Sequence, residues 1–287
     1  MFLNILTGNH KNILGINKRN LHFVYPGMKR SFFKIADEKL LAKELFQRLG
    51  VPTPLTMKVF ERFGEIRNIE NVFHGMENIV IKPNCGSGGF GIMVLGKQSE
   101  NGFFDVKGNL VTFKMLKKHL ADVLLGVYSH GMSDKVFIEE RIIAHDFLRN
   151  IYDQGLADIR IIVYKNKPVM GMLRIPTSFS GGKANLHQGG IGIGLDIETG
   201  ITTTALFKGS AITKHPDSGI TLSGLQIPDF PQLLNYSESI SREVPLKYIG
   251  FDFTIDQKIG PMLIEINARP GLAIQIANQK GLLEVLK

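Results

Sequence analysis

The sequence has very few residues of two types: its 287 residues include one cysteine, Cys85, and no tryptophan. A single cysteine excludes an internal disulfide and any zinc site built from several cysteines. No apolar run approaches the ~18 residues that cross a bilayer. The N-terminus, MFLNILTGNHKN, lacks the apolar core and cleavage site of a signal peptide. These absences predict a cytoplasmic protein with no membrane insertion.

Blocks of five or six like charges, internal repeats and low-complexity segments are also missing. The content is otherwise ordinary for a globular protein, with 44% hydrophobic and 21% charged residues, and the length allows one large domain or two modest ones. A net charge of +8 favours an anionic ligand such as a nucleotide or an acidic substrate. No stripe of interleaved basic and aromatic residues is present, which argues against nucleic acid.

The segment 248–271 shows alternating apolar and polar residues on both sides of a Gly-Pro break, which predicts a β-hairpin. Folding it about Lys258 and Ile259 places Asp252 directly opposite Glu265. The face predicted to be core carries Phe251, Phe253, Ile255, Ile264 and Ile266. The opposite face carries Asp252, Thr254, Glu265 and Asn267.

Two opposed carboxylates repel each other unless a cation lies between them. Two carboxylates and a carboxamide are the hard oxygen ligands that suit Mg²⁺, and Mn²⁺ could take its place. The hairpin therefore predicts a metal site at Asp252, Glu265 and Asn267, with Arg269 as a nearby cation. The alternative is a solvated hairpin face, on which acids are common.

A glycine-rich loop follows a short apolar strand predicted over 78–82. The strand ends at Lys82, and the loop contains Gly86, Ser87, Gly88, Gly89 and Gly91. Strand character resumes at residue 92, so the pattern differs from the strand–loop–helix of a P-loop or a dinucleotide-binding turn. Glycines let backbone N–H groups approach an anion closely, which favours a phosphate-binding lid. The alternative is a mobile hairpin tip.

Periodicity and turn residues predict the other elements. They are a helix over 37–49, a hairpin over 103–113, a helix over 114–125, a strand over 135–141, strands over 158–164 and 168–175, an extended segment through 183, 185 and 187, and a closing helix over 272–286. Arg174 is a lone charge in an apolar strand, where it either reaches solvent or binds an anion. At extended spacing, Lys183, Asn185 and His187 form either a ligand wall or a surface loop. The basic stretch 11–30 is either a solvated loop or part of an anion site.

Taken in order, these motifs resemble the ATP-grasp superfamily of carboxylate–amine ligases. The order is a lysine on an early helix, IKP before a Gly-Ser-Gly-Gly loop, a strand ending in Glu-Glu, a DIR strand, KANLHQGG, and finally EINARPG. Within the superfamily the chain is most similar to the alpha-L-glutamate ligase-like branch, which is related to ligases that add glutamate to ribosomal protein tails. The resemblance extends from about residue 15 to about residue 283.

The resemblance implies an α+β fold in which two lobes grip ATP. It implies that ATP contacts are made by Lys39, Lys82, Gly86, Ser87, Gly88, Gly89, Glu139, Glu140, Arg141, Ile142, Asp158, Lys183 and Asn185. It also implies that Asp252, Glu265 and Asn267 hold Mg²⁺. Arg160 and Arg269 would act in catalysis, and Arg174 and His187 would bind the substrate.

Typical members carry a full α/β domain before these lobes. Here about 35 residues precede the Lys39 helix, far short of the ~100 typical of a domain. We therefore expect a short N-terminal segment over 1–35 and an ATP-grasp domain over 36–287, with a lid-like lobe over about 75–135 and a C-terminal lobe over about 136–287. Asn17, Arg19 and Asn20 could take over part of the acceptor binding.

The implied reaction joins an amine to a carboxylate through an acylphosphate. The amine would be glutamate or another acidic amino acid, and the carboxylate would belong to a peptide, a protein or a small acid. Two alternatives stay open at this point: a kinase-like enzyme that stops at phosphorylation, and a non-catalytic nucleotide-binding scaffold. The sequence does not give the oligomeric state.

Overall fold

The computed structural model describes residues 10–86 and 88–287. The chain divides into two compact units. The larger takes the chain up to Ala36, then Leu41–Thr53 and Ile143–Lys287, and the smaller takes Asp37–Leu40 and Pro54–Ile142. The domain bounds expected from the sequence stay a prediction. The helices are α1 (Ile16–Lys18), α2 (Lys34–Asp37), α3 (Lys39–Arg48), α4 (Ile69–Phe73), α5 (Phe113–Leu124), α6 (Asp146–Ile151), α7 (Phe230–Glu243) and α8 (Ile274–Ala277).

The smaller unit contains, in its described part, one antiparallel sheet of six strands in the order β1-β6-β2-β3-β4-β5. The strands are β1 (Thr56–Phe60), β2 (Ile79–Pro83), β3 (Met93–Ser99), β4 (Gly102–Asp105), β5 (Leu110–Thr112) and β6 (Val136–Glu140). Apolar residues of α4, α5 and one face of the sheet form its core. The predicted strand before the glycine loop, the 103–113 hairpin and the following helix are all present.

The larger unit holds a second antiparallel sheet, seven-stranded over the residues described, in the order β11-β10-β9-β8-β7-β12-β13. The strands are β7 (Asp158–Tyr164), β8 (Lys167–Ile175), β9 (Ile191–Leu195), β10 (Thr202–Phe207), β11 (Ser210–Ile212), β12 (Tyr248–Asp256) and β13 (Gly260–Asn267). The central strands β7 and β12 are buried on both faces. Both sheets are antiparallel with helices packed on them, an α+β arrangement.

The predicted hairpin 248–271 is confirmed as β12 and β13, with Asp252 paired opposite Glu265. The predicted core face is wrong in one residue. The register shifts after Asp252, so that Phe253 pairs with Leu263 and Ile264 is the extra residue of a bulge. Leu263 is consequently fully buried, whereas Ile264 is only partly buried.

Two other local predictions are wrong. The segment through 183, 185 and 187 is not extended throughout, because the Asn185 side chain accepts a hydrogen bond from the His187 backbone N–H and starts a 3₁₀ turn, Leu186–Gln188. Residues 272–286 do not form one helix, since α8 ends at Ala277 and a 3₁₀ turn follows at Leu282–Glu284. Gly281 between them lies against the Asn12 carbonyl, where a Cβ would be only 2.1 Å from the oxygen.

Candidate nucleotide and metal site

Asp252 is the centre of a buried charge cluster in the larger unit. The strand register places Arg160 of β7 beside it on one side and Glu265 of β13 on the other. Arg160 donates from Nε to Oδ1 at 2.7 Å and from Nη2 to Oδ2 at 2.6 Å, while Arg174 of β8 donates from Nη2 to Oδ2 at 2.9 Å. This forked pairing is the strongest way to hold a carboxylate with guanidinium groups.

Asp158 completes the cluster, because Arg174 also donates from Nε to its Oδ1. Burial raises the pKa of Asp158 to about 6, outweighing the opposite effect of Arg174. Burial also acts to raise the pKa of Asp252, but Arg160 and Arg174 together outweigh it and hold that pKa well below its usual range. Two acids and two arginines thus balance one another in a buried setting.

Glu265 and Asn267 lie at the edge of this cluster on β13, and both are partly buried. Asn267 Nδ2 is 3.0 Å from Asp252 Oδ2 and 3.4 Å from Glu265 Oε1. The three predicted metal ligands are therefore neighbours. The bulge after Asp252 lies directly beside them and sets the direction of the last residues of β13.

The chemistry of these donors fits a hard divalent cation. Glu265 offers carboxylate oxygens, and turning the Asn267 amide about its terminal bond would exchange its N–H₂ for Oδ1 beside both acids. Asp252 has less free capacity to bind a cation than Glu265, since its oxygens already accept four hydrogen bonds from Arg160, Arg174 and Asn267. The described residues contain no group of three or more His, Cys, Asp or Glu side chains that could hold a metal, so a metal here depends on the amide and on non-protein ligands.

Arg269 follows the metal segment and is exposed. Its guanidinium carbon is 5.3 Å from the centre of the Phe33 ring, and its Nη1 is 3.5 Å from the hydroxyl of Tyr25. The N-terminal segment supplies both aromatic groups. Sequence reasoning missed Tyr25 and Phe33, since nothing in their local spacing indicates a contact about 240 residues away along the chain.

In the smaller unit, Lys82 forms a buried ion pair with Glu139, from adjacent strands β2 and β6. The Nζ of Lys39 donates to the carbonyl of Gly86 in the glycine loop. Asn84 links the same parts, because its Oδ1 accepts from the Leu40 N–H at 2.8 Å at the start of α3. The structure thus brings Lys39 to the glycine loop, and Asn84, which the sequence did not single out, holds them together.

The glycine loop needs its glycines. Gly88, Gly89 and Gly91 have φ of +64°, +76° and +75°, in the left-handed region that other residues rarely adopt. Ser87, predicted to contact phosphate, lies outside the described residues. After the loop and β6, Glu140 is exposed, the Arg141 N–H donates to the Asn78 carbonyl at 2.7 Å, and Ile142 is partly buried.

Lys183, Asn185 and His187 lie on the loop that leads into β9. Leu186 of this loop packs over Gly192, the residue opposite Arg174, so the loop covers the sheet face that carries the charge cluster. Lys183 and His187 are exposed. Within the described residues, neither Asn185 nor His187 hydrogen-bonds to Asp158, Arg160, Arg174 or Asp252.

The fold is the ATP-grasp fold. It is similar to D-alanyl-alanine synthetase A from Vibrio cholerae, at 12% identity and a TM-score of 0.53, with 89% of this chain and 63% of that one covered. It is also similar to a biotin carboxylase–βγ-ATP complex from Campylobacter jejuni, at 14% identity and a TM-score of 0.52, with 89% and 47% covered. At such identities the likeness concerns the fold alone.

Residues 18–287 match the family described as sugar-transfer associated ATP-grasp, and the chain belongs to that family. The predicted superfamily is therefore confirmed, while the glutamate ligase-like branch stays a prediction. No curated protein matches the chain. The chain spans about three fifths or less of the solved structures that it resembles. No helix among the described residues has the length and apolar character to cross a membrane.

Proposed function

We propose that the protein is an ATP-dependent carboxylate–amine ligase that forms an amide through an acylphosphate. The substrate carboxylate attacks the γ-phosphorus of ATP, and ADP leaves. An amine then attacks the acyl carbon, loses a proton, and phosphate leaves. The observation that carries the proposal is the Asp252 hairpin beside Arg160 and Arg174, in a chain of the ATP-grasp family.

The chain supplies positioning and charge rather than covalent chemistry. Its roles divide by unit. In the smaller unit, the phosphates of ATP are held by Lys39, Lys82 and the loop of Gly86, Ser87, Gly88 and Gly89, and the adenine is contacted by Glu139, Glu140, Arg141 and Ile142. In the larger unit, Asp158, Lys183 and Asn185 contact the nucleotide, Arg160 and Arg269 stabilise the acylphosphate and the tetrahedral intermediate, and Arg174 and His187 bind the substrate.

Glu265, Asn267 and Asp252 would hold Mg²⁺ or Mn²⁺, which when bound neutralises charge on the phosphate oxygens. Arg160 and Arg174 are already fixed by Asp252, so their charges are aimed before substrate binds. Preorganised charge of this kind costs no rearrangement during the reaction. For this reason the network supports a phosphoryl-transfer site rather than the alternative, a solvated hairpin face without a function.

We further propose that the amine is glutamate or another acidic amino acid, and that the carboxylate belongs to a peptide, a protein or a small acid. Cationic side chains in the larger unit support an acidic amine donor, and the chain is basic overall. We assign the ATP-grasp domain to residues 36–287, with residues 1–35 as a short N-terminal segment. A partner protein that presents the acceptor is compatible with this assignment.

The test is ADP release from Mg-ATP with a panel of amino acids, singly and with peptide acceptors, with the products identified by mass spectrometry. ADP release that depends on the amine, with a mass gain of one amino-acid residue on the acceptor, is the expected result. A stable phosphorylated product without any need for an amine would establish a kinase instead. Binding of ATP without turnover on any pair would count against a ligase acting alone.

Glu265→Ala is the matching variant. It should abolish ADP formation without unfolding the protein, because Glu265 is only partly buried and its removal leaves no buried arginine unpaired. Glu198→Gln, at an exposed position of the same unit, is the control and should keep full activity. Near-normal turnover in Glu265→Ala would contradict the metal assignment.

A further inference from the structure

Arg19 is a buried cation that the proposed chemistry does not yet use. It begins the π-helical stretch Arg19–Val24 of the N-terminal segment and is 8% exposed. Its Nη1 donates to the carbonyl of Pro270 at 2.8 Å and to that of Arg269 at 3.3 Å. Its Nε and Nη2 both donate to Asn20 Oδ1, at 3.1 and 2.9 Å.

No carboxylate pairs with Arg19 in the part of the chain that the structure describes. Burying a cation without a counter-ion is costly, and here the cost is met by neutral oxygens alone. Burial accordingly lowers the pKa of Arg19. A residue needed only for packing would be served as well by an apolar side chain of similar volume, so the charged donor points to a specific task.

That task concerns the backbone directly after the metal segment. The Pro270 ring lies on Gly250, where a Cβ would come within 2.7 Å of the Pro270 Cβ. Gly250 is two residues from Asp252 on the same strand face. Pro270 thus packs against β12 near Asp252, while Arg19 holds the carbonyls of residues 269 and 270.

The same segment also holds the side chain of Arg269. Phe33 lies under its guanidinium and Tyr25 lies beside Nη1, while the two aromatic rings contact each other edge to face, with centres 5.9 Å apart. Stacking on an aromatic face restricts the orientation of a guanidinium. Backbone and side chain of Arg269 are therefore both fixed from the N-terminal segment.

We propose that Arg19 is a positioning residue for Arg269: it holds the carbonyls of residues 269 and 270 and so sets the position of the guanidinium to which the proposed function gives a catalytic role. This inference rests on the proposed function for its kinetic consequence, but not for its structural one. Arg19 touches no reacting atom. It acts through Arg269, and Tyr25 and Phe33 complete the support.

The kinetic test compares Arg19→Gln with Arg19→Lys. Arg19→Gln should lower kcat by roughly 10- to 100-fold, the usual result of displacing a catalytic group by about an ångström, with the KM for ATP unchanged. Arg19→Lys should recover much of the loss, since an ammonium can still donate to both carbonyls. Arg48→Gln makes the same chemical change at an exposed site and should leave kcat unchanged.

The structural test needs no substrate, so it stands even if the proposed ligase activity fails. The chain has no tryptophan, and Tyr25 is 43% exposed, so Tyr25→Trp introduces a single fluorescent reporter beside Arg269 with little crowding. Adding Arg19→Gln should shift the emission to longer wavelength and increase quenching by acrylamide, whereas adding Arg48→Gln should do neither. Urea unfolding of each variant identifies any loss of the folded state.

Three results would overturn the inference. The first is an Arg19→Gln variant with unchanged reporter emission and unchanged quenching. The second is a loss of kcat that matches only the fraction of protein unfolded, with no rescue in Arg19→Lys, which would make Arg19 a residue of general stability. The third is an unchanged kcat together with a shifted reporter, which would show that catalysis does not depend on the position in which Arg19 holds Arg269.

Discussion

The two units bury charge in different ways. The larger unit connects Asp158, Arg174, Asp252 and Arg160 in one branched network across three adjacent strands. The smaller unit, in its described part, buries the simple pair Lys82 and Glu139 across two strands. In the network each arginine depends on an acid that another group also uses, whereas the ion pair joins one lysine directly to one acid.

This difference suits the separate roles that the proposed function gives to the two units. A branched network fixes the direction of both arginines and resists rearrangement, which suits a site that must neutralise charge at a set position. A lysine paired with one acid keeps a compact ammonium on a flexible stem that can exchange partners. The lysine pair also precedes a loop of left-handed glycines, and such a loop can adjust to a ligand.

Asp252→Asn should have the largest effect on stability. The amide cannot balance Arg160 and Arg174, and breaking a buried ion pair by removing one partner costs about 3–5 kcal/mol. Urea unfolding followed by circular dichroism measures the loss. Glu265→Gln is the control on the facing strand and should cost much less, because that side chain is partly buried and its contact to Asn267 is 3.4 Å long. Equal unfolding free energies for the two variants would contradict the network.

Lys82→Met should have the next largest effect, because it removes the ammonium that pairs with the buried Glu139 carboxylate. We expect a loss of about 3 kcal/mol, the upper end of the range for a hydrogen bond to a charged group, because the carboxylate is buried. The double variant Lys82→Met/Glu139→Gln should recover part of this loss, since a neutral amide replaces the buried carboxylate. A double-mutant cycle gives the coupling energy. Strictly additive losses would show that the pair is not coupled, and would remove the contrast between the two units.

The sequence predicted the parts of the site that depend on short-range pattern. Alternation along 248–271 was enough to place Asp252 opposite Glu265, because side chains change face at every residue. The bulge at Ile264 could not be predicted, since it adds one residue without changing the alternation before or after it. The strand that ends at Lys82 and the glycine loop after it were likewise predicted from local patterns.

Contacts between strands that are far apart along the chain could not be predicted from the sequence. Arg160, Arg174 and Asp252 meet because β12 lies next to β7 and β7 next to β8, an order that no single segment encodes. The extended conformation predicted through Lys183, Asn185 and His187 is wrong for a local reason, because the Asn185 side chain competes with extended backbone by capping a turn. The contact of Arg19 with residues 250 positions later depends on the whole larger unit.

Two alanine substitutions in the glycine loop separate backbone strain from crowding. Gly89→Ala tests strain alone, and Gly91→Ala tests strain together with crowding. Both residues have left-handed φ, which costs a side chain about 1 kcal/mol. A Cβ at Gly89 meets nothing within 4 Å, whereas one at Gly91 would lie 2.6 Å from the Tyr128 ring. We expect Gly91→Ala to lose about 2–3 kcal/mol of unfolding free energy and Gly89→Ala about 1 kcal/mol. Equal losses would show that the Tyr128 ring moves aside freely.

The smallest effect concerns Cys85, directly before the loop. Burial, and after it the nearby Asp134 carboxylate, raises the pKa of the thiol to about 11. Iodoacetamide reacts with the thiolate, so at pH 8 Cys85 should react roughly 100-fold more slowly than a free cysteine of pKa ~8.5. The rate should rise about tenfold per pH unit up to pH 10 in the folded protein and should reach that of a free cysteine in urea.

Asp134→Asn tests which of the two causes matters. The Asp134 carboxylate accepts hydrogen bonds from the backbone N–H groups of Cys85 and Lys135 and from the hydroxyl of Ser129, and within the described residues it forms no ion pair. It is therefore a buried anion held by neutral donors, the reverse of Arg19 in the larger unit. Removing its charge should lower the thiol pKa only in part, because burial is the larger cause. If alkylation of the folded variant at pH 8 matched that of a free cysteine, the carboxylate rather than burial would control the thiol. The smaller unit would then also use a fixed charge to set the chemistry of its loop.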